Sequence, residues 1–175
     1  MPEFAGWSVA VFLFWLFGSA AVHKVRNPLW YAGLLRGWFP SLAGVSLIAR
    51  AAGFAEAAVA LMLLMPTTRA LGLIAAALML VAYAVAMGLV MLDGSKQQKC
   101  GCGGSSSDLM ISGGLVIRNG VCAGLALLAA MPSVVTDAHP MLKVGMAVLI
   151  GTFMALTYSV IDVLMSNKQA MAGVR

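Results

Sequence analysis

The sequence predicts an all-α membrane protein: a four-helix transmembrane bundle, a fifth C-terminal transmembrane helix and a short interfacial helix. Of the 175 residues, 62% are hydrophobic and only 10% are charged, whereas soluble domains have about 45–50% apolar and about 25% charged residues. The mean hydropathy is +0.97. A soluble core could not bury this much apolar surface, so lipid must cover part of it. The length suits a single domain, residues 1–175.

Five stretches contain about the 20 apolar residues that a helix needs to cross the hydrocarbon core. They cover residues 4–22, 44–65, 70–92, 111–131 and 141–165. No Lys or Arg precedes the first stretch. A signal peptide needs a basic segment there, so we interpret residues 4–22 as a spanning helix.

The segment of residues 23–43 differs from the other connections. It contains Pro28, Trp30, Tyr31, Trp38 and Pro40. Trp and Tyr concentrate at the membrane–water boundary. We therefore expect a short amphipathic helix lying in the interface.

The net charge of +5 indicates topology, and we expect no nucleic-acid partner. With five crossings, the first and third loops and the C-terminal tail share one side. That side and the helix halves next to it hold nine of the 11 basic residues: Lys24, Arg26, Arg36, Arg50, Lys96, Lys99, Arg118, Lys168 and Arg175. The positive-inside rule then places the third loop in the cytoplasm.

The third loop, residues 93–110, is the one strongly polar stretch, and its Gly and Ser content predicts mobility. It contains Cys100 and Cys102, separated by Gly101. A disulfide between them requires the chain to bend, which glycine permits. Strained disulfides tend to be the reactive ones, and the adjacent Lys99 favours thiolate. The loop is therefore a candidate for thiol–disulfide exchange.

Two other interpretations of the cysteine pair stay open. The pair could be incidental, or it could belong to a metal site. Zinc would need two further Cys or His ligands, and the chain offers only Cys122, His23 and His139. Copper(I) could use the two thiolates. Cys122 lies within an apolar helix, where we expect an inert thiol, although it could also act as a resolving thiol.

Two charged residues lie deep in predicted spans. Glu56 is roughly 18 Å and Arg118 roughly 10 Å from the start of their helices, at 1.5 Å per residue. Because an unpaired charge in the membrane is costly, we expect the two to form an ion pair inside the bundle. This pair would either lock the bundle or stabilise a thiolate beneath the cysteine loop. Asn119 adds a polar group that can bond across helices.

Five short stretches, taken in order, resemble the MauE family of methylamine utilisation proteins, part of the wider DoxX-like membrane group. They are residues 23–28 (HKVRNP), 38–40 (WFP), 55–57 (AEA), 100–103 (CGCG) and 118–119 (RN). The C-G-C followed by R-N is the specific part of the resemblance, which covers about residues 12–130.

The resemblance implies a multi-pass protein of the bacterial inner membrane that assists methylamine dehydrogenase. It implies help in forming the disulfides of the small subunit, which matures in the periplasm, together with MauD, a thioredoxin-like partner. Cys100 and Cys102 would then be the redox pair, supported by Lys99, Glu56, Arg118 and Asn119.

The sequence leaves two alternative functions open. One is a DoxX-like, quinone-linked oxidoreductase subunit, in which Glu56, Arg118 and the Trp-rich first helix border a quinone. The other is a non-enzymatic scaffold or metal carrier that recruits a partner through residues 28–40.

Overall fold

The computed structural model describes residues 3–93, 98–101, 110–132 and 140–173. In that part of the chain it contains six α-helices: α1 Glu3–Arg26, α2 Pro28–Trp38, α3 Val45–Leu64, α4 Arg69–Leu92, α5 Gly113–Ala130 and α6 Pro140–Gly173. All except α2 are long and apolar enough to span a membrane. The prediction of five spans and one short helix is confirmed.

The ends of the helices follow local chemistry. Helix α2 begins with Pro28 at its first position, where the missing N–H of proline costs nothing. Pro66 follows the end of α3 and starts the turn into α4. Helix α1 runs past residue 22 to Arg26, because His23, Lys24 and Arg26 suit the negative C-terminal end of a helix.

Helix α6 is longer than the sequence predicted, continuing beyond residue 165 to Gly173. No proline or glycine interrupts this extension before Gly173, so nothing ends the helix where the apolar stretch ends. The extension carries Gln169 to the end of the bundle that holds the third loop.

The helices pack mainly in three pairs: α4 with α5, α1 with α3, and α1 with α6. The main apolar core lies along α1, where Leu13 and Phe17 are fully buried against residues of the other spans. A smaller cluster, built around Met87, Cys100 and Leu115, lies at the end where α4 and α5 meet the third loop. The outer faces of the spanning helices carry many exposed large apolar side chains, as lipid contact requires.

Helix α2 packs chiefly on α3. It also contacts the third loop, and α6 contacts that loop from another direction. The first loop, the third loop and the end of α6 therefore share one end of the bundle, as five crossings predict.

Candidate functional site

Two aromatic side chains of α2 hold the segment around the first loop cysteine. The hydroxyl of Tyr31 donates a hydrogen bond to the backbone carbonyl of Gly101 over 3.0 Å. The indole Nε1 of Trp38 donates to the carbonyl of Lys99 over 3.2 Å. Together they fix the backbone on both sides of Cys100 from a helix more than sixty residues earlier. Tyr and Trp suit this task because one apolar ring packs while its polar edge bonds.

The same segment is tied to the start of α5 and the end of α6. Lys99 forms an isolated antiparallel bridge with Met110. The side-chain amide of Gln169 bonds both backbone groups of Met110, accepting from its N–H over 2.8 Å and donating to its carbonyl over 3.0 Å. Residues 98–101 and 110, which belong to the loop predicted to be mobile, are therefore joined by hydrogen bonds to α2, to α6 and to each other.

Cys100 is a half-cystine and is buried, with 3% of its surface exposed. Its Sγ lies 3.7 Å from Sδ of Met87, a fully buried residue of α4. Cys102 lies outside the described residues. The sequence placed Cys100 in a strongly polar loop and did not predict its burial.

Gly101 provides the bend that the sequence analysis expected between the two loop cysteines. Its φ is +73°, in the left-handed region that glycine adopts without a steric penalty. A Cβ there would lie 3.2 Å from Cδ2 of Leu34 and 3.4 Å from the rings of Trp30 and Tyr31. Glycine is thus needed both for the turn and for the close approach of α2.

A buried charge cluster lies next to this anchored segment. Lys24 Nζ and the Tyr83 hydroxyl both donate to Oε1 of Glu56, over 2.6 Å and 2.5 Å. The Lys24 ammonium also lies 5.2 Å and 5.3 Å from the ring centroids of Tyr31 and Tyr83, within cation–π range. The Glu56 side chain is 1% exposed, and its Oε2 has no hydrogen-bond partner among the described residues.

The electrostatics of the cluster extend to α2. Burial, followed by the Glu56 carboxylate, raises the pKa of Tyr31 to about 12. Tyr31 therefore keeps its proton at neutral pH and remains a donor to Gly101.

Helix α1 approaches α3 closely enough for this pairing because α3 has a glycine at the contact. A Cβ on Gly53 would lie 3.1 Å from Cβ of Lys24. Glu56 follows three residues later, on the same face of α3. The missing side chain at Gly53 thus lets the carboxylate reach the ammonium.

These groups line a single cavity of about 300 Å³, which is mostly apolar. Lys24, Glu56 and Tyr83 lie on its wall, as do Cys100 and Gly101. The remaining lining residues are mainly apolar ones of α1, α2, α3 and α4, with Asn119 of α5 and Tyr158 of α6. A buried half-cystine and a buried carboxylate thus face the same space.

The predicted Glu56–Arg118 ion pair is wrong. Arg118 forms its ion pair with Asp162 of α6, and its Cζ lies 4.3 Å from the centroid of the Tyr158 ring. Depth in the membrane was a poor guide to pairing, because Glu56 pairs with Lys24 of α1 and Arg118 pairs with Asp162 of α6. Two separate ion pairs therefore replace the single one expected.

The other predicted residues fall into two groups. Lys99 contributes its backbone to the anchored segment, and Asn119 is buried on the cavity wall. Cys122 is a free, buried thiol that packs in the main apolar core. Within the described ranges, no group of three His, Cys, Asp or Glu side chains comes together to hold a metal ion.

Sequence reasoning missed Lys24, Tyr31 and Tyr83 as partners of the predicted residues. The aromatic content of residues 28–40 was attributed to the membrane interface, whereas Tyr31 is 4% exposed and faces the cysteine segment. Tyr83 was a polar group within an otherwise apolar span, which was the available signal.

The chain is similar to a described protein family and to a named bacterial protein. The family described as "Methylamine utilisation protein MauE" has a model that matches residues 2–132. A protein of Paracoccus denitrificans named "Methylamine utilization protein MauE" is 33% identical over 147 residues, which cover 79% of this chain and 78% of the relative. No solved structure matches the chain.

Proposed function

Because this chain belongs to the MauE family of methylamine utilisation proteins, we propose that it is a membrane thiol–disulfide protein supporting maturation of an amine dehydrogenase. It is a multi-pass membrane protein with five candidate spans. The client in this proposal is the small subunit of the dehydrogenase, and the intermediary is a thioredoxin-like, MauD-like protein. The membrane is the bacterial inner membrane.

One observation carries the proposal: Cys100, a half-cystine, lies at the wall of a cavity in a segment that two side chains of α2 hold by hydrogen bonds. A cysteine kept only for packing would not need hydrogen bonds to the backbone on both of its sides. Reactive sites are commonly fixed in this way by rigid neighbouring elements.

The exchange step is a transfer of two electrons. A partner thiol attacks the Cys100–Cys102 disulfide, which forms a mixed disulfide and releases one sulfur of this chain as a thiolate. The second partner thiol then attacks the partner's sulfur in the mixed disulfide and releases the other sulfur of this chain. The partner ends as a disulfide, and its two electrons and two protons are now on the dithiol of this chain. Because Cys100 is buried, we assign the partner-facing role to Cys102.

Replacement of each cysteine tests this proposal. We expect Cys100→Ser and Cys102→Ser to abolish maturation of the dehydrogenase while the protein still inserts into the membrane. Cys122→Ala is the matched control and should support normal maturation, since Cys122 is a free thiol in the apolar core. Full maturation with both loop variants would refute the thiol role and favour a scaffold.

Sidedness needs its own measurement. A periplasmic partner requires that the end of the bundle with the third loop face the periplasm. The distribution of basic residues instead predicts that this end faces the cytoplasm. Two of those residues, Lys24 and Arg118, form ion pairs with Glu56 and Asp162, so the count overstates the free charge. Labelling of intact cells with a membrane-impermeant thiol reagent, after reduction, should modify Cys102 if that end is periplasmic.

A further inference from the structure

A second cluster of charged side chains lies at the end of the bundle opposite the cysteine segment. The first turns of α1, α4 and α6 build it, and they contribute Glu3, Arg69 and Lys143. Lys143 Nζ pairs with Oε2 of Glu3 over 3.1 Å, and Glu3 also attracts Arg69 electrostatically. One carboxylate therefore gathers two cations from different helices, which leaves one positive charge of the three residues without a matching anion.

Arg69 is short of hydrogen-bond acceptors. Its Cζ lies 4.4 Å from the centroid of the Trp7 ring, a contact that holds the side chain against α1 but accepts no conventional hydrogen bond. Its Nη1 is buried and has no hydrogen-bond partner among the described residues, and an unpaired donor of a charged group is costly. The residue as a whole is partly exposed, so an anion can approach the guanidinium from outside the bundle.

The level of the cluster in the membrane identifies the kind of anion. Arg69 is the first residue of α4, and Lys143 lies in the first turn of α6, so both cations lie where a spanning helix enters the membrane. Trp7 is of a residue type that concentrates at this boundary. The phosphates of phospholipids lie at the same level, just outside the hydrocarbon core.

We propose that Arg69 and Lys143 bind the phosphate of an anionic phospholipid. The planar guanidinium presents paired N–H donors that fit two phosphate oxygens, and the Lys143 ammonium keeps further N–H donors beyond its bond to Glu3. The negative charge of the phosphodiester balances the cluster. A zwitterionic headgroup would add an ammonium beside two cations, so phosphatidylglycerol fits better than phosphatidylcholine.

The surroundings of the two cations suit the rest of the lipid. Leu71, two residues after Arg69, is 61% exposed, and Val144, which follows Lys143, is 63% exposed. Both lie deeper in their spans than the neighbouring cation, so acyl chains below the bound phosphate meet apolar surface. The phosphate joins α4 to α6, and anionic lipid should therefore stabilise the fold.

The start of α4 adds to the positive potential. Thr68 gives the helix no side-chain cap, because its hydroxyl donates to the carbonyl of Met62 over 2.9 Å. The helix dipole places partial positive charge beside Arg69. The side chains of Arg69 and Lys143, rather than this helix end, select the anion.

Thermal unfolding of the full chain in detergent tests the inference. Added dioleoyl phosphatidylglycerol should raise the melting temperature to a saturating value, whereas dioleoyl phosphatidylcholine and inorganic phosphate should not. In Arg69→Gln, the phosphatidylglycerol concentration that gives half of this effect should rise at least about tenfold, equivalent to about 1.4 kcal/mol. Arg36→Gln, at an exposed position of α2 near the other end of the bundle, is the matched control and should respond like wild type.

Fluorescence quenching gives a second readout, which needs no variant of Arg69 to fold. In the wild-type protein, phosphatidylglycerol with brominated acyl chains should quench tryptophan fluorescence more strongly than brominated phosphatidylcholine at the same mole fraction. Trp7 contacts Arg69, so this difference between the lipids should disappear in Trp7→Phe. Lys143→Gln should reduce the difference, whereas Lys168→Gln, at an exposed position near the other end of α6, should leave it unchanged.

Three results would overturn the lipid site. They are equal responses to the two lipids, an equal response to inorganic phosphate, and equal shifts in Arg69→Gln and Arg36→Gln. The last result would mean that anionic lipid acts only on the net charge of the protein. The site is separate from the cysteine pair, so Cys100→Ser should respond to phosphatidylglycerol like wild type, and the thiol role can fail without the lipid site.

Discussion

The hydroxyl of Tyr31 donates a hydrogen bond to the carbonyl of Gly101 over 3.0 Å and thereby joins α2 to the cysteine segment. Both groups are buried. Replacing tyrosine with phenylalanine leaves the carbonyl without this donor, at a cost of about 1–3 kcal/mol. We expect Tyr31→Phe to lower the stability by that amount and to speed alkylation of Cys100 in the reduced protein. Unchanged alkylation would show that the bond does not hold the segment.

The same bond predicts a dependence on alkaline pH. Burial and the Glu56 carboxylate raise the pKa of Tyr31 from 10.0 to about 12 in the folded protein. Because the folded pKa exceeds the unfolded one, the stabilisation is fully present below pH 10 and is lost as pH rises through about 12. Between about pH 8 and about pH 12, the melting temperature should fall more steeply in wild type than in Tyr31→Phe. The raised pKa of Tyr31 sets this pH range.

Gly101→Ala should disrupt the cysteine segment. The left-handed φ costs a residue with a Cβ about 1–2 kcal/mol, and the added methyl group would crowd Leu34 and the neighbouring rings. Denaturant unfolding should detect the loss. Gly33→Ala in α2 is the control, since no atom lies within 4 Å of its added Cβ, and a helical glycine-to-alanine change gains up to about 1 kcal/mol. Equal behaviour of the two variants would contradict this explanation.

Gln169→Leu should release Met110 from α6. The variant removes both bonds to the backbone of Met110, so we expect a loss of about 1–3 kcal/mol and faster hydrogen exchange at the amide of Met110. Asn167→Leu, at an exposed position of the same helix, should leave that exchange rate unchanged. Protection that survives in Gln169→Leu would show that the bridge to Lys99 suffices.

Double-mutant cycles test the assignment of the buried charges. Removing one partner of a buried pair typically costs about 3–5 kcal/mol. Arg118 is buried and Asp162 is partly buried, so Asp162→Asn and Arg118→Met should each destabilise the protein. Their combination should cost much less than the sum. Arg118→Met combined with Glu56→Gln should be additive, because these two residues have different partners. Strong coupling between Arg118 and Glu56 would restore the pairing predicted from the sequence.

The apolar stretches predicted the helices well because each span must satisfy its own backbone in lipid. The errors were at the ends, such as α6, where the helix continues beyond the apolar residues. The shared end of the first loop, the third loop and α6 also followed from the count of crossings, which is a property of the chain order alone.

The site was less accessible to sequence reasoning. Cys100 and Glu56 were identified as site residues, but their surroundings were not. Tyr31 was assigned to the membrane interface from its residue type, whereas it lies against Gly101. A residue type that suits both an interface and a buried hydrogen bond cannot distinguish the two.

The sequence by itself determined the class of the protein, its five spans, its short helix and the C-G-C pair. These depend on hydropathy and spacing along one chain. The tertiary structure alone decided that Glu56 pairs with Lys24, that Arg118 pairs with Asp162, and that Cys100 is buried beside a cavity. The physical reason is that such contacts depend on how each helix is rotated and staggered against its neighbours. That arrangement is set by close approaches such as Gly53 against Lys24, which a linear pattern does not specify.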